Sequence, residues 1–210
     1  MDKALILGGG FAGIEAAIFL KKQNIDVTLV SDRDYFYIYP TSIWIPTGDK
    51  TKEEVSVKLS DIAKAHNFNT IVSAVTNINA KEKKITLSNG SILDTFKYII
   101  VALGQEKVEI DGMKEHTLSI CGKPEEAEEI KKRIDLLIKK DEGKISFGFG
   151  GNPKDKSTIR GGPAFEVMFN VHNQLKKLGL RDKFELAFFA PMASPGEKMG
   201  SKALSMIDKM

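Results

Sequence analysis

Three glycines near the start of the chain, Gly8, Gly10 and Gly13 in ILGGGFAGIEAA, stand at the Gly-x-Gly-x-x-Gly spacing with which a backbone can cradle a pyrophosphate. Gly8 permits a tight turn, Gly10 lets phosphates approach the main chain, and Gly13 allows a helix to pack closely on a strand. Phe11 and Ala12 open that helix, whose first N–H groups and partial positive charge favour an anion. The pattern gains weight from its surroundings. An apolar run, Lys3 to Leu7, precedes it; Phe11, Ile14, Ala17 and Ile18 follow at helical spacing; Asp26 to Val30 reads as a second strand. That strand ends in Ser31-Asp32, where a side chain accepts from ribose hydroxyls. Asp32 stands one place after the usual position of the acid, so Ser31 and Asp32 are both candidates.

A second glycine stretch, FGFGGNPKDKSTIRGGPAFE (Phe147 to Glu166), repeats the motif in opened form. Gly148-x-Gly150 is present, but Pro153 takes the third glycine position and a polar insert delays the helix until about Pro163. A pyrophosphate needs the helix N-terminus directly after the turn, so NADH is a poor candidate for this half. Arg160 with Lys154 and Lys156 makes a basic loop that is equally well explained by solvation. Glu166 sits where the helix dipole favours an acid. His172 falls on the apolar side of its helix, with Phe165, Met168, Phe169 and Leu175, and reads as a core residue.

The chain holds one cysteine, Cys121, ahead of a Pro-initiated helix. A thiol at a helix N-terminus can be activated, but without a partner the reading as a small semi-buried loop residue is preferred, and no catalytic residue is assigned. One Cys and three dispersed histidines, His66, His116 and His172, exclude an internal disulfide and give no metal-ligand spacing.

The elements that must position these residues form an α/β chain. A long aromatic, proline-bearing loop runs from Asp32 to Asp49. A helix is expected over Val57 to His66, then short strands at Thr70 to Val75, Lys84 to Leu87 and Ile92 to Leu93, with Ser88-Asn89-Gly90 as a hairpin turn. A buried strand, Lys97 to Ala102, closes the first half. The second repeats the plan: a helix from Pro124 to Lys139, a strand from Lys144 to Phe149, a helix from Pro163 to Leu178 and a strand from Phe184 to Phe189. The expectation is two Rossmann-like units in tandem, residues 1–106 and 107–210, with GSKALSMIDKM reading as a helix in mid-course at the end of an incomplete second unit. With 210 residues, 42% hydrophobic and 28% charged, the chain can bury a real core, and its net charge of +3 is spread along helices and turns, which argues against nucleic-acid binding. No signal peptide or bilayer-spanning run is present, so the default location is the cytoplasm.

LILGGGFAGIEAA, VTLVSDRDYFYIYPTSIW and YIIVALG together resemble the FAD-binding half of the two-dinucleotide-binding-domain flavoproteins, and among them the sulfide:quinone oxidoreductases most. The resemblance implies FAD as cofactor, sulfide and a membrane quinone as substrates, and peripheral association with the inner membrane through a C-terminal region beyond Met210. It also implies that Pro40 lies near the flavin, that the Val75 backbone holds the adenine, and that Ala102 and Gly104 match an Ala-Thr-Gly segment in which Leu103 replaces Thr. Gly162-Pro163-Ala164-Phe165-Glu166 matches the family's helix start. The family's reactive loop cysteine is Arg160 here, and many members carry a cysteine near Cys121. The alternatives are an NADH:quinone oxidoreductase-like flavoprotein and a non-catalytic nucleotide-binding remnant; homo-oligomers are compatible with each.

Overall fold

A computed structural model describes residues 2–105, 111–151, 161–192, 200–201 and 205. The chain divides into two compact units, Met1–Ile38 with Glu53–Asp111, and Tyr39–Lys52 with Gly112–Met210.

The first unit is built on a parallel sheet. β1 (Lys3–Leu7) lies at its centre, between β2 (Asp26–Ser31) and β9 (Tyr98–Val101), and β5 (Asn69–Val72) pairs with the far side of β2. Being covered on both faces, β1 is apolar at every position from Ala4 to Leu7, all fully buried. Alternate residues serve different layers. Ile6, Val27 and Leu29 pack under helices α1 (Phe11–Lys22) and α2 (Leu59–His66) with Ile14, Ala17 and Ala63. Leu5, Leu7 and Val30 point the other way, onto Ile85 and Leu87 of an antiparallel meander, β6 (Val75–Asn79), β7 (Lys84–Leu87) and β8 (Ile92–Leu93). The expected turn at Ser88-Asn89-Gly90 joins β7 to β8, with Gly90 at φ +84° and its N–H donating to Leu87.

Two local features depart from the sequence reading. The stretch expected as loop from Asp32 contains β3 (Tyr35–Tyr37), antiparallel to β4 (Ser56–Lys58), which shortens α2 at its start. The strand expected over Thr70 to Val75 is two strands, β5 and β6, broken at Ser73, whose N–H donates to Ser31 O at 2.7 Å and whose hydroxyl meets Ser88 Oγ at 3.0 Å. Short three-residue pairings such as β3–β4 carry too little period to be seen in a sequence.

The second unit contains α3 (Met113–His116), α4 (Pro124–Lys140), β10 (Gly143–Gly148), α5 (Gly162–Lys177) and β11 (Phe184–Phe189). β10 and β11 are parallel, from Gly143 opposite Phe184 to Gly148 opposite Phe189, so α5 is the crossover that parallel pairing requires. α4 has Pro124 at its first turn with Glu125 and Glu126, Lys139 and Lys140 in its last, and Asp141 in the left-handed region as its stop. Ile134, Val167, Val171, Leu175 and Phe184 make the core, and Ile43 joins them from a 3-10 segment, Tyr39–Trp44. That segment is held by side-chain donors: Asn170 Nδ2 to Ile43 O at 3.0 Å, and Gln174 Nε2 to Thr47 O at 3.1 Å. Ser42 Oγ, meanwhile, donates to Ile120 O at 3.2 Å. The loop between β3 and β4 is therefore part of the second unit's core.

Candidate functional site

The strand order of the first sheet reverses at β1, with β2 and β5 on one side and β9 on the other. The glycine turn emerges at the carboxyl end of β1, the crevice where open α/β sheets hold ligands. Gly8 adopts φ +118°, and its N–H donates to Val30 O at 2.8 Å. A Cβ there would lie 2.1 Å from Ala102 O, and a Cβ on Gly13 would lie 1.8 Å from Gly8 O. Both are closed to any side chain by backbone. Gly10 is the opposite case, with nothing within 4 Å of a Cβ placed on it. It is the N-cap of α1, makes no side-chain capping bond, and is followed by no acidic residue in the first turn. Two glycines clamp the turn and the third leaves its outer face open above a helix N-terminus, a shape and polarity that suit a pyrophosphate. Phe11 braces the exit of the turn, edge-on to Phe36 at 4.8 Å between ring centroids.

The structure separates the two ribose candidates. Ser31 is 3% exposed, accepts the Arg33 N–H at 3.2 Å, and lies so near Gly9 that a Cβ on that glycine would stand 2.6 Å from Ser31 Oγ. The neighbouring Asp32 has a side chain 62% exposed and pairs with Arg33 Nε at 3.4 Å. Gly9 is thus a third obligatory glycine that lies outside the motif's spacing; only the neighbouring strand end could have disclosed it. Ala102 reaches the turn through Gly8, and its own N–H donates to Leu7 O at 2.7 Å. Gly104 has φ +79° and open space around it, and Leu103, standing where the resemblance expects Thr, is exposed. Val75 is half-buried at the start of β6, opposite Leu87. Pro40 is exposed and belongs to the second unit.

In the second unit Gly161 is the N-cap of α5, and Phe149 packs onto it: a Cβ there would fall 2.2 Å from the ring. Phe165 stacks on Phe188 at 4.1 Å between centroids, and Phe149 lies 6.0 Å from Phe188. The α5 N-terminus is therefore faced by aromatic carbon. Pro153, Lys154, Lys156 and Arg160 lie outside the described residues.

His172 is half-buried; Arg181 Nε donates to its Nδ1 at 3.0 Å, and burial first, then the Arg181 and Lys176 charges, hold its pKa below the ordinary value. Cys121 is exposed rather than semi-buried, in the loop that precedes α4, where the Glu126 carboxylate accepts the Ser119 N–H at 3.2 Å. Glu166 is exposed. Among the described residues no His, Cys, Asp and Glu side chains gather as a metal cluster.

With this geometry in place, sequence comparison matches residues 2–139 to the pyridine nucleotide-disulphide oxidoreductase family. The chain belongs to that family, a class of FAD-binding oxidoreductases. The sulfide-quinone reductase of Aquifex aeolicus (strain VF5) is 29% identical over 191 residues, covering 88% of this chain and 42% of the relative. The type II NADH:quinone oxidoreductase of Staphylococcus aureus (strain NCTC 8325 / PS 47) is 31% identical over 127 residues, covering 56% of this chain and 30% of the relative. Among solved structures, the Aquifex aeolicus sulfide:quinone oxidoreductase superposes on all of this chain and 48% of its own, with TM-score 0.84 and 26% identity. NDH2 from Plasmodium falciparum in complex with NADH, at 18% identity and TM-score 0.79, shares the fold. This chain spans less than half the length of the curated relatives it matches.

Proposed function

We propose that the chain is the FAD-holding portion of a quinone-reducing flavoprotein whose electron donor is sulfide. The observation that carries the FAD reading is the glycine turn: Gly8 and Gly13 are locked by backbone contact, while Gly10 stands open at an uncapped, acid-free helix start. FAD bound there would supply two-electron chemistry between a donor and an acceptor. This chain's own residues bind and orient it. Gly8, Gly13 and Ala102 fix the turn; Gly10, Phe11 and Ala12 would meet the pyrophosphate, the Ser31-Asp32 end the ribose, and Val75 and Gly104 the adenine and flavin ends.

Two observations favour sulfide over NADH. The match to the sulfide-quinone reductase extends over 191 residues, whereas that to the NADH:quinone oxidoreductase extends over 127. The α5 N-terminus, where a second dinucleotide would place its pyrophosphate, is faced by the Phe149 ring. The rival reading, NADH as donor, draws on the 31% identity to the staphylococcal enzyme. The deciding measurement is the flavin absorbance of the purified, FAD-loaded protein under anaerobic conditions. Bleaching by sulfide and not by NADH is expected; bleaching by NADH alone overturns the donor, and failure to take up FAD overturns the reading as a whole.

A further inference from the structure

The last turns of α4 set a leucine among cations. Leu136 is 58% exposed, and the positions that neighbour it on a helix surface, three and four residues to either side, are Lys132, Arg133, Lys139 and Lys140. One carboxylate, Glu129, answers two of them, Arg133 Nε at 3.3 Å and Lys132 Nζ at 3.9 Å. Lys139 and Lys140 are exposed and pair with no carboxylate among the described residues. α5 ends in the same way. Lys176 and Lys177 stand exposed in its last turn, and its C-cap, Leu178, is 52% exposed. Each helix leads into a strand of one parallel pair, which starts with Gly143 opposite Phe184, so both helices finish at one end of the unit. The Lys183–Asp141 ion pair ties the two ends together. Lysines in a last turn answer the helix dipole; exposed leucines beside them do not.

We propose that this end of the second unit, Leu136 and Leu178 within their lysines, is a docking surface for an anionic lipid bilayer. The ammonium groups meet headgroup phosphates, the lysine stems lie along the apolar boundary, and the two leucines enter it. Exposed Glu142 and Asp182 at the same end moderate the attraction, so the contact is reversible and salt-sensitive. An acidic protein would satisfy the charges alone. The choice of a bilayer rests on the leucines and on the quinone-reducing reading above, since a quinone with an apolar tail is met in a bilayer.

The test is co-sedimentation of the purified chain with vesicles of phosphatidylcholine, and of phosphatidylcholine mixed with phosphatidylglycerol, with thermal midpoints as the fold check. The chain should sediment with the anionic vesicles, stay in solution with the neutral ones, and be released by salt. Lys139→Glu with Lys140→Glu should weaken binding about thirtyfold or more. Lys64→Glu with Lys81→Glu changes the net charge equally through exposed lysines of the first unit, and should weaken binding less than about threefold. Leu136→Ser should cost about fivefold. Leu136→Trp, made with Trp44→Phe so that it is the only tryptophan, should shift its emission to the blue with anionic vesicles alone. The surface is overturned if neutral vesicles bind as well, if the two double variants lose affinity equally, or if the Leu136→Trp emission stays unmoved. Capture by polyglutamate without vesicle binding makes the partner an acidic polypeptide and overturns the lipid. These readouts are independent of the flavin: bleaching by sulfide without vesicle binding strikes the docking surface alone, whereas vesicle binding by a chain that takes up no FAD upholds the surface and removes the quinone reading.

Discussion

The glycines at Gly8, Gly10 and Gly13 share one motif and have unlike duties, which makes them separable by alanine. Gly13→Ala drives a methyl into Gly8 O, and Gly8→Ala drives one into Ala102 O from a positive φ; each should cost about 3 kcal/mol or more, read as a fall in the denaturation midpoint. Gly10→Ala meets nothing within the protein, so its stability should stay within about 1 kcal/mol while FAD affinity drops. His172 gives a second measurement. Its folded-state pKa is depressed by burial, then by Arg181 and Lys176, so the unfolded chain takes up the proton first as pH falls below the ordinary histidine value of 6.5. Stability should therefore be fullest above pH 6.5 and decline below it, and His172→Gln should flatten that decline in melting curves taken across the range. The spacing of the three glycines was open to sequence reading because it is local. Gly9 and the burial of Ser31 were not, since both depend on β2 arriving beside the turn from across the sheet.

At the scale of elements, the central strands and long helices were legible because burial leaves a strong period: α4, α5, β10 and β11 lie within a residue of their expected limits, and β1 reads as an unbroken apolar run. The β3–β4 pair and the break at Ser73 were hidden, since pairings of three residues and a kink between strands are set by partners distant in sequence. The same applies to Tyr39–Lys52, whose aromatic and proline content suggested a loop and gave no hint of which core takes Ile43. Leu175, fully buried in that core, tests the assignment. Leu175→Ala should cost about 2–5 kcal/mol and raise amide exchange both in α5 and in the Tyr39–Lys52 segment. Exchange confined to α5 would detach that segment from the second unit.

For the molecule as a whole, no helix among the described residues is long and apolar enough to cross a membrane. The net charge of +3 is small, so long-range repulsion contributes little to keeping copies apart. The margin of the first sheet gives an expectation for the chain in solution. Among the described residues β9 pairs with β1 alone, and its outer edge carries exposed Tyr98 and Val101 beside an apolar groove lined by Leu20, Ile25 and Ile100. An edge strand presents unpaired backbone N–H and C=O groups that can pair with another strand, and here Lys97, paired with Asp2 at 2.8 Å, is the charge that stands against such pairing. Light scattering of the purified chain should rise steeply with concentration and fall when Val101 is replaced by lysine, and a flat response in the wild type would show that the edge is covered. Colloidal behaviour, rather than folding or cofactor affinity, is thus the property in which the position of β9 at the margin of its sheet is expected to show.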